Sequence, residues 1–292
     1  MQIWCAASAA VALSWAGAAL ADDASSTPPP PDKSAYTLFN PTPDDKLRTL
    51  CADRPSKATG ACTVDAGHWQ LESDIYNGTW QSTDGVSTTT QLFTNPTLKL
   101  GLTNTWDVEL NIAPYEEVRT HDSHTGAATT AHGVGDLYLR TKLNLVGDDG
   151  GDWALAIEPF VKAPTAASGV GNGAWEGGVL APIAISLPQN WQLSLDPELD
   201  DLANASGNGH HLNAVSVFSL GYPITKEVTV FGEVWGDANF DPSGTVFQSS
   251  FDVAAAWIPA KAPNVQLDGG LNFGLNRATP GVQFYAGVTR RW

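Results

Sequence analysis

Apolar and polar residues alternate along most of the chain. Trp106, Val108 and Leu110, for example, alternate with Asp107 and Glu109. Comparable segments follow one another to the end of the chain, and turn residues separate them. Successive side chains of a β-strand point to opposite faces, so a period of two predicts strands with one apolar and one polar face. The pattern therefore predicts an all-β fold.

The connections between these segments alternate between short and long, and the longer ones lie near residues 119–133, 165–177, 204–211 and 236–245. Outer-membrane barrels have short periplasmic turns and longer outer loops, whereas a soluble sandwich has no reason for that order. We therefore predict an antiparallel up-and-down transmembrane β-barrel of about twelve strands, with both ends in the periplasm. The segment around Pro182 has the weakest alternation. The predicted strands cover residues 68–81, 88–102, 106–119, 134–147, 152–164, 176–187, 191–203, 211–222, 228–237, 246–258, 265–275 and 281–292.

Several tryptophans share the parity of the apolar face and fall near one rim of the predicted barrel. Tryptophan is enriched at membrane–water interfaces, because its ring is apolar and its N–H is polar. A sandwich core would give no reason for this grouping. We expect a periplasmic aromatic girdle formed by Trp69, Trp106, Trp153, Trp191, Trp257 and Trp292.

The chain before the barrel divides into two parts. Residues 1–21 are Ala-rich and end in Ala19-Leu20-Ala21, which predicts a signal peptide and export to the outer membrane of a Gram-negative cell. An anchor helix is the alternative, although the apolar run is shorter than the ~20 residues that a span needs. Residues 22–62 predict a Pro-rich periplasmic tail with a disulfide-closed plug segment, and residues 63–292 predict the barrel.

Two cysteines, Cys51 and Cys62, lie in the predicted tail. A disulfide between them is the expected state in an oxidising periplasm. A metal site is the alternative, but His68 is its only other candidate ligand nearby. Phosphate loops, CxxC pairs and dinucleotide fingerprints are absent from the sequence, and the outer-loop histidines form only a weak pattern. We therefore expect no cofactor and no metal site.

Four short runs resemble one family of outer-membrane barrels. They are DRP at 53–55, TVDAGHWQLE at 63–72, NPTLK at 95–99 and GVGDL at 133–137. The family is labelled "putative meta-pathway of phenol degradation", and the resemblance covers roughly residues 44–292. It implies a β-barrel transporter that takes up aromatic or other small hydrophobic compounds.

The predicted lumen is rich in acidic residues. Thirteen acidic residues fall on inward faces of the predicted strands, against five basic ones. Such a lumen favours cations or neutral solutes over anions, although salt bridges that fill a closed interior are the alternative. We predict a channel for passive uptake of small solutes, lined by Glu72, Asp74, Lys99, Asp107, Glu109, Arg140, Lys142, Glu158, Lys162, Asp196, Glu198, Glu233, Asp252 and Asp268.

Aromatic residues are also predicted on the inward faces, as a track for aromatic solutes or as packing. These residues are Phe93, Tyr138, Phe160, Phe231, Trp235 and Tyr285.

The expected partners follow from this reading. The net charge of −16 disfavours nucleic acid, because phosphate backbones are bound by basic surfaces. Residues 285–292 resemble the C-terminal signal read by the barrel assembly machinery, with Arg290 where an aromatic residue is usual. We expect the lipid bilayer, that machinery and a small solute as partners.

Two other functions remain open at this stage. One is a barrel enzyme that hydrolyses lipids or esters, for which His211, Asn213 and either Ser206 or Ser216 are the only nearby grouping. No nucleophile motif surrounds them, so we predict that the protein is not an enzyme. The other is a structural or adhesive barrel, against which the Gly/Ala/Thr-rich outer loops argue mildly.

Overall fold

A computed structural model describes residues 32–292, so the predicted signal peptide lies outside the described residues. The regular secondary structure of the described chain is β-strand, apart from two short 3-10 helices at Asp44–Lys46 and Pro188–Asn190. No helix among residues 32–292 is long and apolar enough to cross a membrane. The strands are β1 (Trp69–Thr83), β2 (Val86–Leu92), β3 (Asn95–Thr103), β4 (Trp106–Ile112), β5 (Glu116–Asp122), β6 (Ala128–Gly133), β7 (Leu137–Val146), β8 (Trp153–Ala163), β9 (Glu176–Leu180), β10 (Ile183–Ser186), β11 (Gln192–Ala203), β12 (His210–Pro223), β13 (Val228–Asn239), β14 (Val246–Trp257), β15 (Val265–Gly274) and β16 (Val282–Arg291).

These strands form one closed antiparallel barrel. Wall strands that follow one another in the chain pair side by side, and β16 pairs with β1 to close the wall. Four wall strands are interrupted, so that β2 and β3 together make one wall strand, as do β4 and β5, β6 and β7, and β9 and β10. The wall therefore has twelve strands, which confirms the predicted fold class.

Three of the interruptions have local causes. Thr94, between β2 and β3, has a φ of +66°, a left-handed conformation that ends an extended strand. Pro114 and Pro182 each remove a backbone N–H from a wall strand. The strand register continues unchanged across Pro182.

One break changes the predicted direction of a side chain. Phe93 was predicted to face the lumen on the assumption that 88–102 is one continuous strand. Instead its ring lies 5.6 Å from that of Tyr76 and 6.0 Å from that of Tyr115, and the side chain is exposed on the outer surface. The prediction is wrong because the turn at Thr94 shifts the alternation between the two half-strands.

The connections confirm the asymmetry of the two ends, with one difference. We call the end with the short turns the periplasmic end, following the usual arrangement in outer-membrane barrels. The predicted long loop at 119–133 is mostly strand, because β5 and β6 extend as a hairpin and leave only residues 123–127 as loop. His121 and His132 thus lie in strands, not in the predicted loop.

The six girdle tryptophans all lie on the outer surface near the periplasmic end, with 39–52% of each exposed. Trp106, for example, opens β4 directly after a short turn, and its indole N–H donates to Thr141 Oγ1 (2.6 Å). Their position suits the predicted girdle, and their contact with lipid stays a prediction.

Residues 32–68 precede β1, and residues 51–64 of this segment occupy the periplasmic half of the lumen. Leu50, Ala58, Ala61, Val64 and Ala66 are buried within this segment. We call residues 51–64 the plug, since they contact inward-facing side chains of most wall strands.

Candidate functional site: the plugged lumen

The plug is a loop closed by a disulfide. Cys51 and Cys62 are bonded, as predicted, with Cα atoms 6.6 Å apart. The loop between them projects into the lumen, so that its own basic side chains meet the acidic side chains of the wall.

Arg54 attaches the plug to β1 and β15, the two strands that flank β16 in the wall. Its guanidinium binds Asp74 Oδ1 on β1 (2.5 Å) and Asp268 Oδ1 on β15 (2.8 Å). Burial lowers the pKa of Arg54, but the two carboxylates outweigh burial and raise it. The Tyr285 hydroxyl donates to the Pro55 carbonyl (2.7 Å) and fixes the adjacent backbone.

Lys57 makes the second cationic contact. Its ammonium lies 3.0 Å from Asp252 Oδ2 on β14 and 4.5 Å from the centre of the Trp235 ring on β13. The neighbouring Ser56 hydroxyl donates to Glu233, and the Lys57 backbone N–H donates to Glu233 Oε2 (3.1 Å). Two acids of the predicted lumen lining are therefore occupied by the plug.

Asp53 makes the opposite kind of contact, because it is an acidic plug residue that binds basic residues of the wall. Its carboxylate accepts from the buried ammonium groups of Lys142 on β7 (2.8 Å) and Lys99 on β3. Burial raises the pKa of Asp53, but the ammonium groups of Lys142 and Lys99 outweigh it and hold the pKa well below its usual range. The plug thus offers anions to wall cations and cations to wall anions.

Asp53, Glu109 and Glu158 bring carboxylate oxygens within 4.8 Å of one another. Three carboxylates this close could hold a metal ion, but the Lys142 ammonium already pairs with all three. Lys142 Nζ is 3.2 Å from Glu158 Oε2 and 3.7 Å from Glu109 Oε1. A second positive charge there would meet like-charge repulsion, so the arrangement fits the predicted absence of a metal site.

Four more wall residues bind the plug backbone. Glu72 accepts from the N–H of Asp53 (3.0 Å), and Asp107 accepts from the N–H of Val64 (2.9 Å). Asp196 accepts from the N–H of Thr59 (2.9 Å), and Asn144 donates to the carbonyl of Ala61 (2.7 Å). Backbone groups buried in the lumen are thereby satisfied by three acidic side chains and one amide side chain.

Arg48 closes the periplasmic mouth below the plug. Its guanidinium binds Asp148 Oδ2 (3.2 Å) and Asp149 Oδ1 (3.0 Å) in the turn after β7, and also the Asn104 side chain (2.6 Å). The contact joins the segment before the plug to two periplasmic turns of the barrel.

Above the plug, the lumen is open. A cavity of about 560 Å³ lies in the outer half, and a smaller one of about 300 Å³ lies directly on the plug. Asn95, Asn111 and Arg140 line both cavities, which makes them neighbouring parts of one internal space. This space ends at Arg54 and Thr59 of the plug.

Aromatic rings line one side of the outer cavity. The Arg140 guanidinium lies 5.5 Å from the centre of the Tyr138 ring and 5.3 Å from that of the Phe160 ring. Arg140 also pairs with Glu158 (3.4 Å). Tyr138 and Phe160 are thus inward-facing, as the alternation predicts.

All predicted lining residues lie on the inner side of the wall, but their contacts differ between the periplasmic half and the outer half of the lumen. Those in the periplasmic half bind the plug or one another. Lys162, higher up, binds Asp136 (3.2 Å) and Glu176 (2.7 Å). Glu198 lines the outer cavity without contacting the plug. Their role in solute passage stays a prediction.

The proposed hydrolase grouping is not assembled. His211 Nδ1 lies 2.9 Å from Asn204 Oδ1 and 3.4 Å from Asp241 Oδ2, while Asn213 bonds Asp200 in the lumen (3.1 Å). Among residues 32–292, His211 Nε2 has no hydrogen-bond partner, so no described serine hydroxyl is placed as a nucleophile beside it.

Strand parity predicts a direction only for charges that lie on strands. It therefore misses Arg54 and Lys57 of the plug and Arg48 before the plug, because all three precede β1. A signal was present, because Arg54 belongs to the DRP run that resembles the family.

Comparison with known proteins agrees with the fold. The COG4313 outer membrane channel from Pseudomonas putida F1 is similar, with a TM-score of 0.59 and 16% identity over 86% of this chain and 99% of that chain. The NanC porin has a TM-score of 0.46 and 9% identity over 75% of this chain and 98% of its own. The beta domain of the Bordetella autotransporter BrkA has a TM-score of 0.46 and 13% identity over 77% and 98%.

No curated relative matches the chain. A family profile does, and it spans residues 52–292, which include the plug and the whole barrel wall. The chain therefore belongs to the family described as "Putative MetA-pathway of phenol degradation".

Proposed function

We propose that this protein is an outer-membrane channel for the passive uptake of small solutes, including aromatic and hydrophobic compounds, and that a signal peptide exports it. One observation carries the proposal. The outer half of the barrel encloses an internal space that continues down to a plug held by charged and polar contacts. A structural barrel would need no such space.

The aromatic preference has two sources of support. Tyr138 and Phe160 form an apolar wall in the outer cavity. Aromatic rings attract one another in stacked and edge-to-face contacts, so this wall suits an aromatic solute. The description of the family refers to phenol degradation.

Reconstituted protein tests the function directly. We expect ion conductance in planar bilayers and solute entry into proteoliposomes, both small because the plug narrows the path. A variant that combines Arg54→Ala with Lys57→Ala should conduct more, since it releases the plug from β1, β14 and β15. Absence of conductance and of solute entry in both proteins would refute a channel.

A hydrolase is the second candidate, and among residues 32–292 the feature that bears on it is the buried, unpartnered Nε2 atom of His211. Ester hydrolysis that disappears in His211→Ala would establish it. Unchanged background hydrolysis in that variant would leave the channel as the function.

A further inference from the structure

Two acidic residues of the outer cavity, Glu198 and Asp200, differ from the acids around the plug. In the periplasmic half of the lumen, plug cations and wall lysines pair with the carboxylates. In the outer half, Glu198 and Asp200 on β11 line the cavity, and neither has a salt bridge to a lysine or arginine of the described chain. These two carboxylates are available to a ligand.

The strand register explains why they lack basic partners. Glu198 lies opposite Leu180 on β9 and Val215 on β12, so that apolar residues flank it on both sides. Asp200 lies opposite Gly178 and Asn213. The wall therefore supplies no cation at this height on either neighbouring strand.

Asp200 is 93% buried and still lacks a full set of partners. It is 7% exposed, and its Oδ2 accepts from Asn213 (3.1 Å), but its Oδ1 has no hydrogen-bond partner among the described residues. A buried carboxylate oxygen without a donor costs free energy. Asp200 lines the outer cavity, so a ligand bound there can supply the missing donor.

Gly178 brings an aromatic ring and a carboxylate together. A Cβ atom built on Gly178 would lie 2.1 Å from Asp200 Oδ1 and 2.7 Å from Phe160 Cε1, so both side chains pack into the space over the glycine. Phe160 and Asp200 each pair with Gly178 across their strands, and both line the outer cavity. A ligand with an apolar ring and a donor group fits this combination of neighbours.

We propose that the outer cavity binds organic ammonium compounds, with the ammonium at Glu198 and Asp200 and the apolar part against Phe160, Tyr138 and Leu202. The proposal deepens the channel function and rests on it, since the cavity lies on the path. An ammonium group supplies both the missing donor and the missing positive charge. The cavity volume of about 560 Å³ falls in the usual range for small-molecule sites.

A divalent metal ion suits the site less well. Among the described residues, only Asp53, Glu109 and Glu158 bring three acidic ligand atoms within 4.8 Å, and those lie at the plug. Glu198 and Asp200 offer two carboxylates beside an aromatic wall, which favours a larger organic cation.

Binding to three matched probes tests the proposal. Benzylamine, benzyl alcohol and benzoate share a ring and differ in charge at neutral pH. In calorimetric titrations of detergent-solubilised protein, we expect benzylamine to bind at least about tenfold more tightly than the other two, as one charge-assisted hydrogen bond implies. Equal binding of the three probes, or tighter binding of benzoate, would overturn the proposal.

Two isosteric variants locate the site. Glu198→Gln with Asp200→Asn should weaken benzylamine binding about tenfold or more and leave benzyl alcohol unchanged. Asp201→Asn is the matched control, because Asp201 is the next residue on the same strand and is exposed on the opposite face. Benzylamine binding that survives in the double variant, or that magnesium displaces while sodium at equal ionic strength does not, would overturn the assignment.

These titrations need no transport. A protein that binds benzylamine but conducts nothing would contradict the channel alone. A protein that conducts but binds the three probes equally would contradict the ammonium site alone.

Discussion

Trp69 and Trp292 exchange two backbone hydrogen bonds, each with a donor–acceptor distance of 3.0 Å. They are the first residue of β1 and the residue after β16, so this pair closes the wall at its periplasmic end. Both indoles are exposed on the outer surface. The same two residues therefore complete the hydrogen-bonded ring and contribute to the predicted girdle.

Deletion of Trp292 should reduce assembly of the barrel. It removes both closing hydrogen bonds and an apolar rim side chain, and an unpaired edge is not tolerated in lipid. We expect a smaller heat-modifiable, folded fraction in outer-membrane preparations on unheated gels. Trp292→Ala retains the backbone bonds and should be milder. Equal folded fractions in the deletion and the wild type would refute a role in closure or in recognition by the assembly machinery.

Replacement of Arg54 should destabilise the protein through the acids that it leaves behind. Asp74 and Asp268 are 3% and 0% exposed, and Arg54→Ala removes their shared partner. We expect the free energy of unfolding in urea to fall by about 3 kcal/mol, the lower end of the range for a broken buried pair, since water can enter through the lumen.

A surface pair gives the control for Arg54. Arg119 is 59% exposed and pairs with Glu117 (2.7 Å) on the same strand. Arg119→Ala should cost less than about 1 kcal/mol, as exposed ion pairs do. Similar losses in the two variants would mean that the Arg54 contacts do not stabilise the plug.

The sequence predicts the wall better than it predicts the interior. Alternation and turns locate the twelve wall strands because both are local properties. The break at Thr94 is also local, but threonine rarely adopts a positive φ, so nothing in the sequence marks it. Phe93 is consequently assigned to the wrong face.

The candidate site depends on contacts between distant residues. The acid-rich lumen is evident from strand parity, but Arg54 and Asp268 are 214 positions apart and meet only when the barrel has closed. Their pairing decides which acids hold the plug and which, like Asp200, remain for a ligand. No local pattern in the sequence contains that information.

The Asp53 contact should respond to acid only at low pH. The folded pKa lies below the ordinary value, so the contact contributes its full stability above about pH 4 and loses it as the pH falls through the folded pKa. We expect this contact to persist between about pH 5 and 7 and wild-type conductance to rise as the contact is lost below about pH 4. The carboxylate faces Lys99 and Lys142, with Glu109 and Glu158 beyond them.

Asp53→Asn separates this contact from other acids. It removes the charge at every pH, so the variant should already show raised conductance at neutral pH and a weaker response to acid. Asp44→Asn, an exposed change in the segment before the plug, should behave like the wild type. Wild-type conductance in Asp53→Asn at neutral pH would show that this contact does not hold the plug.

Loss of the disulfide should loosen the plug. Cys51 and Cys62 are eleven positions apart, and closing a loop of this size stabilises an ordered segment by about 3 kcal/mol in the chain-entropy description. The contacts of Arg54, Lys57 and Asp53 must otherwise order the loop alone. We expect Cys51→Ser with Cys62→Ser to raise single-channel conductance or the frequency of open events.

A reductant distinguishes the covalent link from the substitutions. Dithiothreitol should raise the conductance of the wild type towards that of the double serine variant and should leave the variant unchanged. The barrel itself should keep its heat-modifiable mobility in each case, because the wall strands pair independently of the disulfide. If the wild type conducts equally with and without reductant while free-thiol labelling shows that the bond is broken, the charged contacts alone hold the plug in the lumen.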